Sequence, residues 1–429
     1  MRVLIIGATG LIGSSVAARL KRDGHEIVGA ARRMSAVARR VPADRWEIVD
    51  LSAAAGADWA LLLAGIDAVV NCAGVLQDSG RDSTAAVHRD APAALWKACE
   101  AAGVRRVIHF SAMGVDRGAL TRFSRSKMEG DIALADSALD WVILRPSVVV
   151  GRPAYGGSAL FRALAALPLL PRTPDAGPID VVQLDDVAET VARLLAPDAA
   201  SRMALELSGP DRLGFEEIVA AYRRWLGWQP AKLINLPGWA MAAAYRLGDL
   251  AGRLGWRPPI RTTARREIVR GAVGESRAWT EATGIAPQSL AAALAANPAS
   301  VQERWFSRLY LLKPVAIATF VLFWLATGLI SLGPGYALAA DYMRRAGAGP
   351  LAEPSVVAGA ITDLAVAGLI AWRPTAWLGL IAALAVSLFY LVAGTLLLPR
   401  LWIDPLGPMM KIWPILALNL LCLAILDER

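Results

Sequence analysis

The residues best suited to chemistry come at the start of the chain. Gly7, Gly10 and Gly13 follow the apolar run Val3–Ile6 and lead directly into a helical pattern, with Thr9, Leu11 and Ile12 between them. Glycine tolerates positive φ and lets a backbone approach a ligand closely. The free N–H groups and the dipole at the start of the following helix favour an anion. A strand, a Gly-x-x-Gly-x-x-Gly turn and a helix in that order point to the pyrophosphate of a dinucleotide. A glycine triplet without the flanking strand and helix would be an ordinary turn.

Cofactor choice is expected at the end of the second strand, where an acidic side chain takes the adenosine ribose hydroxyls of NAD. Here the chain reads Gly29-Ala30-Ala31-Arg32-Arg33, with two guanidinium groups and no acid. Paired arginines suit a 2′-phosphate, so NADP(H) is favoured over NAD(H). The alternative is a pair of solvated arginines. Asp50 and Leu51 fall where a third strand would end near the adenine, and Asn71, Ala73 and Gly74 where a fourth would line the cofactor. Taken singly, Asp50 and Asn71 are equally suited to turns or caps.

Stepping outward, these residues require a parallel sheet to bring them to one edge. Short β-branched runs at Val3–Ile6, Glu26–Ala31, Trp46–Asp50, Ala68–Asn71, Arg106–Phe110 and Trp141–Leu144 alternate with helical stretches at Leu11–Arg22, Ala85–Ala102 and Thr121–Ser137. This is the pattern of an α/β, Rossmann-type doubly wound parallel sheet. From about residue 151 the pattern loosens into a small α+β cap region. Strands are expected there at Ile179–Val182 and Ala204–Ser208, and helices at Phe215–Trp225 and Trp239–Leu254. The nucleotide-binding region with its cap is expected to occupy 1–300, and 301–314 to be a linker.

The remainder differs in kind. Hydrophobic residues make up 55% of the chain, and the excess lies after Lys313. The stretches 315–332, 355–372, 375–398 and 412–426 have the length and apolarity of bilayer spans, which predicts an all-α transmembrane bundle of about four helices. Several tryptophans near their ends suit an interfacial belt. Asp363 falls inside the second stretch, where an ionisable group is costly unless it faces the bundle interior. Its alternatives are an interfacial position or a bond to Asn419. The net charge of +8 is spread along the chain rather than gathered with aromatics, which argues against nucleic acid and for anionic lipid headgroups. Cys72, Cys99 and Cys422 lack paired spacing, and His25, His88 and His109 lack ligand spacing, so no metal is expected. No export signal is evident, which predicts a multi-pass protein of the cytoplasmic membrane with its nucleotide domain in the cytoplasm.

The glycine loop, Asn71-x-Ala73-Gly74, Ser111, Lys127 and Arg145-Pro146-Ser147 resemble the short-chain dehydrogenase/reductase superfamily over the first two-thirds of the chain. The run His109-Phe-Ser111-Ala-Met-Gly with Ser126-Lys127-x-Glu129-Gly130 is most similar to the atypical branch that contains the 39-kDa NADPH-binding subunit of respiratory complex I. The apolar C-terminal part resembles the DoxX-like membrane family. The resemblance implies Ser111 and Lys127 as catalytic positions, with Lys127 and Pro146 also lining the cofactor. It also implies a proton-donating tyrosine four residues before the lysine, and that residue is Phe123. Two functions follow. One is an oxidoreductase acting on a lipid-soluble substrate such as a quinone or isoprenoid, its proton supplied elsewhere, with Tyr155 as a substitute donor. The other is a non-catalytic NADPH-binding module with a structural or redox-sensing role.

Overall fold

The structure is a computed structural model that describes residues 1–35, 37–53, 58–79, 82–118, 121–256 and 258–427. It divides into two units. The first comprises Met1–Asp249 and Pro258–Ser307, and the second Leu250–Arg257 and Arg308–Arg429.

The first unit is built on strands β1 (Arg2–Ile6), β2 (Glu26–Ala31), β3 (Arg45–Ile48), β4 (Ala68–Asn71), β5 (Arg106–Phe110) and β6 (Asp140–Pro146). A seventh, β7 (Met203–Leu207), completes a sheet ordered β7-β6-β5-β4-β1-β2-β3, and every pairing in it is parallel. Strand alternation divides the core. Val3 and Ile5 face the side covered by α1 (Leu11–Arg22), whose Val16, Ala17 and Leu20 are buried. Leu4 and Ile6 face the other side, where Leu95 and Trp96 of α2 (Ala91–Ala102) and Leu134 of α3 (Arg122–Ala135) are buried. The chain reverses direction across the sheet between β1 and β4. Open α/β sheets bind ligands at such a point, beyond the carboxyl ends of the strands.

Several expectations shift. Ala204–Ser208, expected in the cap, belongs to the main sheet as β7, because Leu205 and Leu207 extend the buried apolar face beside β6. Ile179–Val182 is not a full strand. Val182–Gln183 pairs with Val149–Val150, while Ile179 makes isolated bridges to Leu213 and Ala272. The supposed linker contains a helix, Val301–Leu309, which Glu303 starts by accepting the N–H of Ser300 at 2.8 Å. Such a reciprocal cap begins a helix even where the apolar pattern is weak.

In the second unit, Leu312–Leu332, Gly349–Ala371 and Ala376–Leu397 are long and apolar enough to cross a membrane. The fourth apolar helix, Ile412–Ile425, has 14 residues. It extends only ~21 Å against a hydrocarbon core of ~30 Å. Three candidate spans therefore replace the four expected, with the short helix packed among them through Leu416, Asn419 and Cys422. Lys313 Nζ and Arg373 Nη2 each donate to Leu426 O at 3.1 Å, so the start of the first span, the turn between the second and third, and the end of the short helix share one end of the bundle.

Candidate cofactor site

The glycine turn has the cradle that a dinucleotide requires. Gly7 follows β1 at φ +77°, and a Cβ there would lie 3.0 Å from Ala73 N. Its N–H and that of Ala8 both donate to Ala30 O, at 3.1 and 3.3 Å, tying the loop to the end of β2. At Gly13, in the first turn of α1, a Cβ would stand 2.3 Å from Gly7 O, so any side chain would force the turn open. Gly10 precedes α1 with no side-chain cap. The first amides of the helix, from Leu11 through Gly13, are thus left for a ligand, and a pyrophosphate fits that role. Thr9, Leu11 and Ile12 are half-buried around the turn.

Around this cradle, Arg32 pairs with Asp82, and Arg33 is exposed. Asp50 Oδ1 accepts the Ser52 N–H at 3.0 Å and so forms a turn, while Leu51 is part of the core. Asn71 is a structural clamp. Its Oδ1 accepts the Ala73 N–H at 3.1 Å and its Nδ2 donates to His109 Nδ1 at 3.2 Å, which fixes the loop facing Gly7.

Helix α3 carries the remaining polar groups. Lys127 is buried, and its Nζ donates to Phe110 O at 2.6 Å and Ala73 O at 3.2 Å. Burial pushes its ammonium down to about 8. Gly74 keeps the space beside it open, since a Cβ there would stand 3.6 Å from Lys127 Nζ and 3.7 Å from His88 Nε2. One turn before Lys127, Phe123 meets the His88 ring edge-to-face at 5.5 Å between centroids. A phenyl ring occupies the place where the resemblance implies a proton donor.

One turn after Lys127, Asp131 organises a buried network. It accepts Ser111 Oγ–H at 2.9 Å and Arg145 Nη2–H at 3.2 Å, and Arg145 also pairs with Asp116 at 2.5 Å. The Ser111 hydroxyl is therefore committed to Asp131. Burial pushes the Asp131 carboxyl upward, opposed by Ser111, Arg145 and Lys127. His109 is held neutral by burial and by Lys127, with Asn71 donating to its Nδ1 and its Nε2 lying 3.6 Å from Asp131 Oδ1. Pro146 ends β6, and its carbonyl accepts the Met113 N–H at 3.2 Å.

Two of these residues, Asp131 and His88, have no site role in the sequence reading. Asp131 was legible in principle, since Phe123, Lys127 and Asp131 follow i, i+4, i+8 spacing on one helix face. His88 was not. It lies in a π-helical turn, Ala86–Asp90, that shifts the helical register just before α2. There its Nε2 accepts the Val75 N–H at 3.0 Å, and its Nδ1, the protonated nitrogen, donates to Ser126 Oγ at 2.9 Å. Burial, reinforced by Lys127, pushes its pKa down to about 2. Tyr155 stands 40% exposed ahead of helix Gly157–Ala165, with its backbone N–H donating to Ser158 Oγ at 3.0 Å.

In the second unit, Asp363 lies within the second span, 6% exposed, and accepts the Tyr390 hydroxyl at 3.3 Å. Asn419 instead donates to Leu380 O at 3.1 Å. Of the alternatives weighed for Asp363, a bond to Asn419 gives way to one from Tyr390, on the third span, which reaches the carboxyl.

Comparison with known proteins agrees with this division. Residues 7–197 match an NAD(P)H-binding family and residues 321–420 the DoxX-like family. An uncharacterized Mycobacterium tuberculosis protein is 30% identical over 233 residues, 52% of this chain but only 23% of the relative's own length. The (4-alkanoyl-5-oxo-2,5-dihydrofuran-3-yl)methyl phosphate reductase of Streptomyces griseus is 28% identical over 52% of this chain and 74% of its own. Among solved structures, MoeE5 with UDP-glucuronic acid and NAD matches at TM-score 0.54 and 20% identity, covering 72% of this chain and 99% of its own. WbmG of Bordetella bronchiseptica, with NAD and UDP, matches at TM-score 0.55 and 17% identity, covering 72% and 97%. At these identities the two structures speak to the fold. The chain thus joins an NAD(P)H-binding segment, on a Rossmann-type fold, to a DoxX-like segment.

Proposed function

We propose that this chain is a membrane-anchored, NADP(H)-binding reductase of a lipid-soluble acceptor, a quinone or an isoprenoid that carries a conjugated carbonyl, with its nucleotide domain in the cytoplasm. The observation that carries the reading is the pairing of an intact cofactor cradle and a buried Lys127 with an apolar Phe123. A bound dihydronicotinamide supplies hydride. Lys127, Gly74 and Pro146 border the cofactor, and Arg33, with Arg32 once released from Asp82, holds a 2′-phosphate. Losing a positioned acid costs roughly 10²–10⁴ in rate where an alkoxide must be protonated as it forms. A conjugated acceptor yields a delocalised anion that water can protonate afterwards. The Streptomyces relative, by its name, reduces a compound that carries such a ring.

Purified full-length protein in vesicles is expected to oxidise NADPH in the presence of a short-chain quinone and to lose that activity in Lys127→Ala. Absence of turnover with quinones and enones alike, with NADPH still bound, would sink the reductase reading. It would leave the second reading, a nucleotide-holding module, which Phe123 favours directly. Asp363 and Tyr390 belong to the acceptor's path in the first reading, so Asp363→Asn is expected to slow quinone turnover and spare NADPH binding. NADPH should bind more tightly than NADH in a fluorescence titration, and Arg33→Ala should narrow the gap. Equal affinities in the parent chain would refute the NADP assignment.

A further inference from the structure

Two helices next to the spans are turned inside out. In Gly238–Arg253, the side packed on the protein carries Gly248 and Gly252, where a Cβ at Gly248 would collide with Ile260 O at 1.7 Å. The outward side carries Trp239, Leu247, Leu250 and Leu254, with Trp239 76% and Leu247 66% exposed. These positions share one helical face. In Val301–Leu309 the buried side holds Glu303 and Ser307, and the outward side holds Val301, Trp305 and Leu309. Trp305 is 65% exposed, and the helix is followed in the chain by the first span, Leu312–Leu332. A helix facing water does the reverse, burying its large apolar side chains and exposing its small and polar ones.

We infer that both helices lie in the surface of an anionic bilayer, with their apolar stripes at the acyl boundary. Three features select a membrane over a protein partner. The second helix immediately precedes a span in the chain. The first helix ends at the bundle end where the spans begin and turn, because Arg373 N–H donates to Leu254 O and Trp256 Nε1–H donates to Ala371 O, both at 2.9 Å. Exposed arginines, Arg246 and Arg253 on one helix and Arg304 and Arg308 on the other, border each stripe, as headgroup phosphates require. The consequence is a protein that grips one leaflet from its surface as well as crossing it, and that responds to the charge of that leaflet.

This inference rests on the membrane-anchored reading, and one labelling experiment separates the two. The full chain, with its three cysteines changed to alanine, is reconstituted in phosphatidylcholine with and without phosphatidylglycerol. An environment-sensitive fluorophore is placed at Leu247→Cys, Trp305→Cys, Leu388→Cys in the third span, or the exposed Glu281→Cys, and NADPH binding confirms the folded nucleotide unit. Labels at 247 and 305 are expected to be quenched severalfold more strongly by lipid bearing a spin label near the headgroup than the label at 281, and more so with phosphatidylglycerol. The label at 388 should respond to deep spin labels. Quenching at 388 alone, or crosslinking of 247 or 305 between two copies of the chain in place of lipid quenching, would overturn the surface inference while keeping the anchor. Loss of quenching at every site would overturn both.

Discussion

Phe123, Lys127 and Asp131 occupy three successive turns of one helix, and their differences define the chemistry at residue scale. Phe123 places no exchangeable proton beside the His88 ring, while Lys127 keeps one in a buried setting. Restoring the hydroxyl with Phe123→Tyr is expected to raise reduction of simple ketones by about 10² or more, measured as NADPH consumption, with little change in NADPH affinity. Lys127 also leaves a pH signature. Its folded pKa, about 8, lies below the ordinary 10.5, so between those values the unfolded chain binds more protons and stability rises with pH. Below the folded value the charged, buried ammonium costs stability. Lys127→Met should therefore flatten the rise in unfolding free energy across that window, by up to ~3 kcal/mol, in denaturant titrations of the two proteins side by side. A parallel slope in both would place the shift elsewhere.

At the scale of elements, glycines set how closely helices approach the loops they position. A Cβ at Gly130 would stand 2.1 Å from His88 O, so α3 reaches the π-helical turn only because that position has no side chain. Gly130→Ala should destabilise the nucleotide unit by ~1–3 kcal/mol and loosen the His88–Ser126 contact, seen as a lower unfolding midpoint. Gly13→Ala acts on the cofactor instead, since its collision is with Gly7 O in the cradle itself. Its expected effect is a roughly 10-fold or greater loss of NADPH affinity in a fluorescence titration, consistent with an overpacking cost of ~1–3 kcal/mol.

At the scale of the whole molecule, the two units have separate cores, one of them a Rossmann sheet and the other an apolar bundle. A ligand that binds only the first should stabilise only the first. Saturating NADPH, at ~100 times its dissociation constant, is expected to add about 2.7 kcal/mol to that unit and to raise its thermal transition while leaving a second, detergent-sensitive transition in place. A single transition that moves as a whole would mean the units unfold together.

Much of this was legible from residue types alone. Val3–Ile6 and the glycine turn determined a strand, a tight loop and a helix start, because those steps depend on local propensity and steric freedom. Long apolar runs likewise marked the membrane helices, because spanning a bilayer requires little beyond length and apolarity. Tertiary structure decided what depends on distant partners. Met203–Leu207 became a sheet strand only because β6 offered a free edge, and the stretch between the units proved helical through a cap rather than an apolar pattern. The role of His88 and the commitment of Ser111 to Asp131 emerged only when α3 was packed against the ends of β4, β5 and β6. Hydrogen bonds between residues far apart in the chain leave no periodic trace in it, so a buried network is decided by packing.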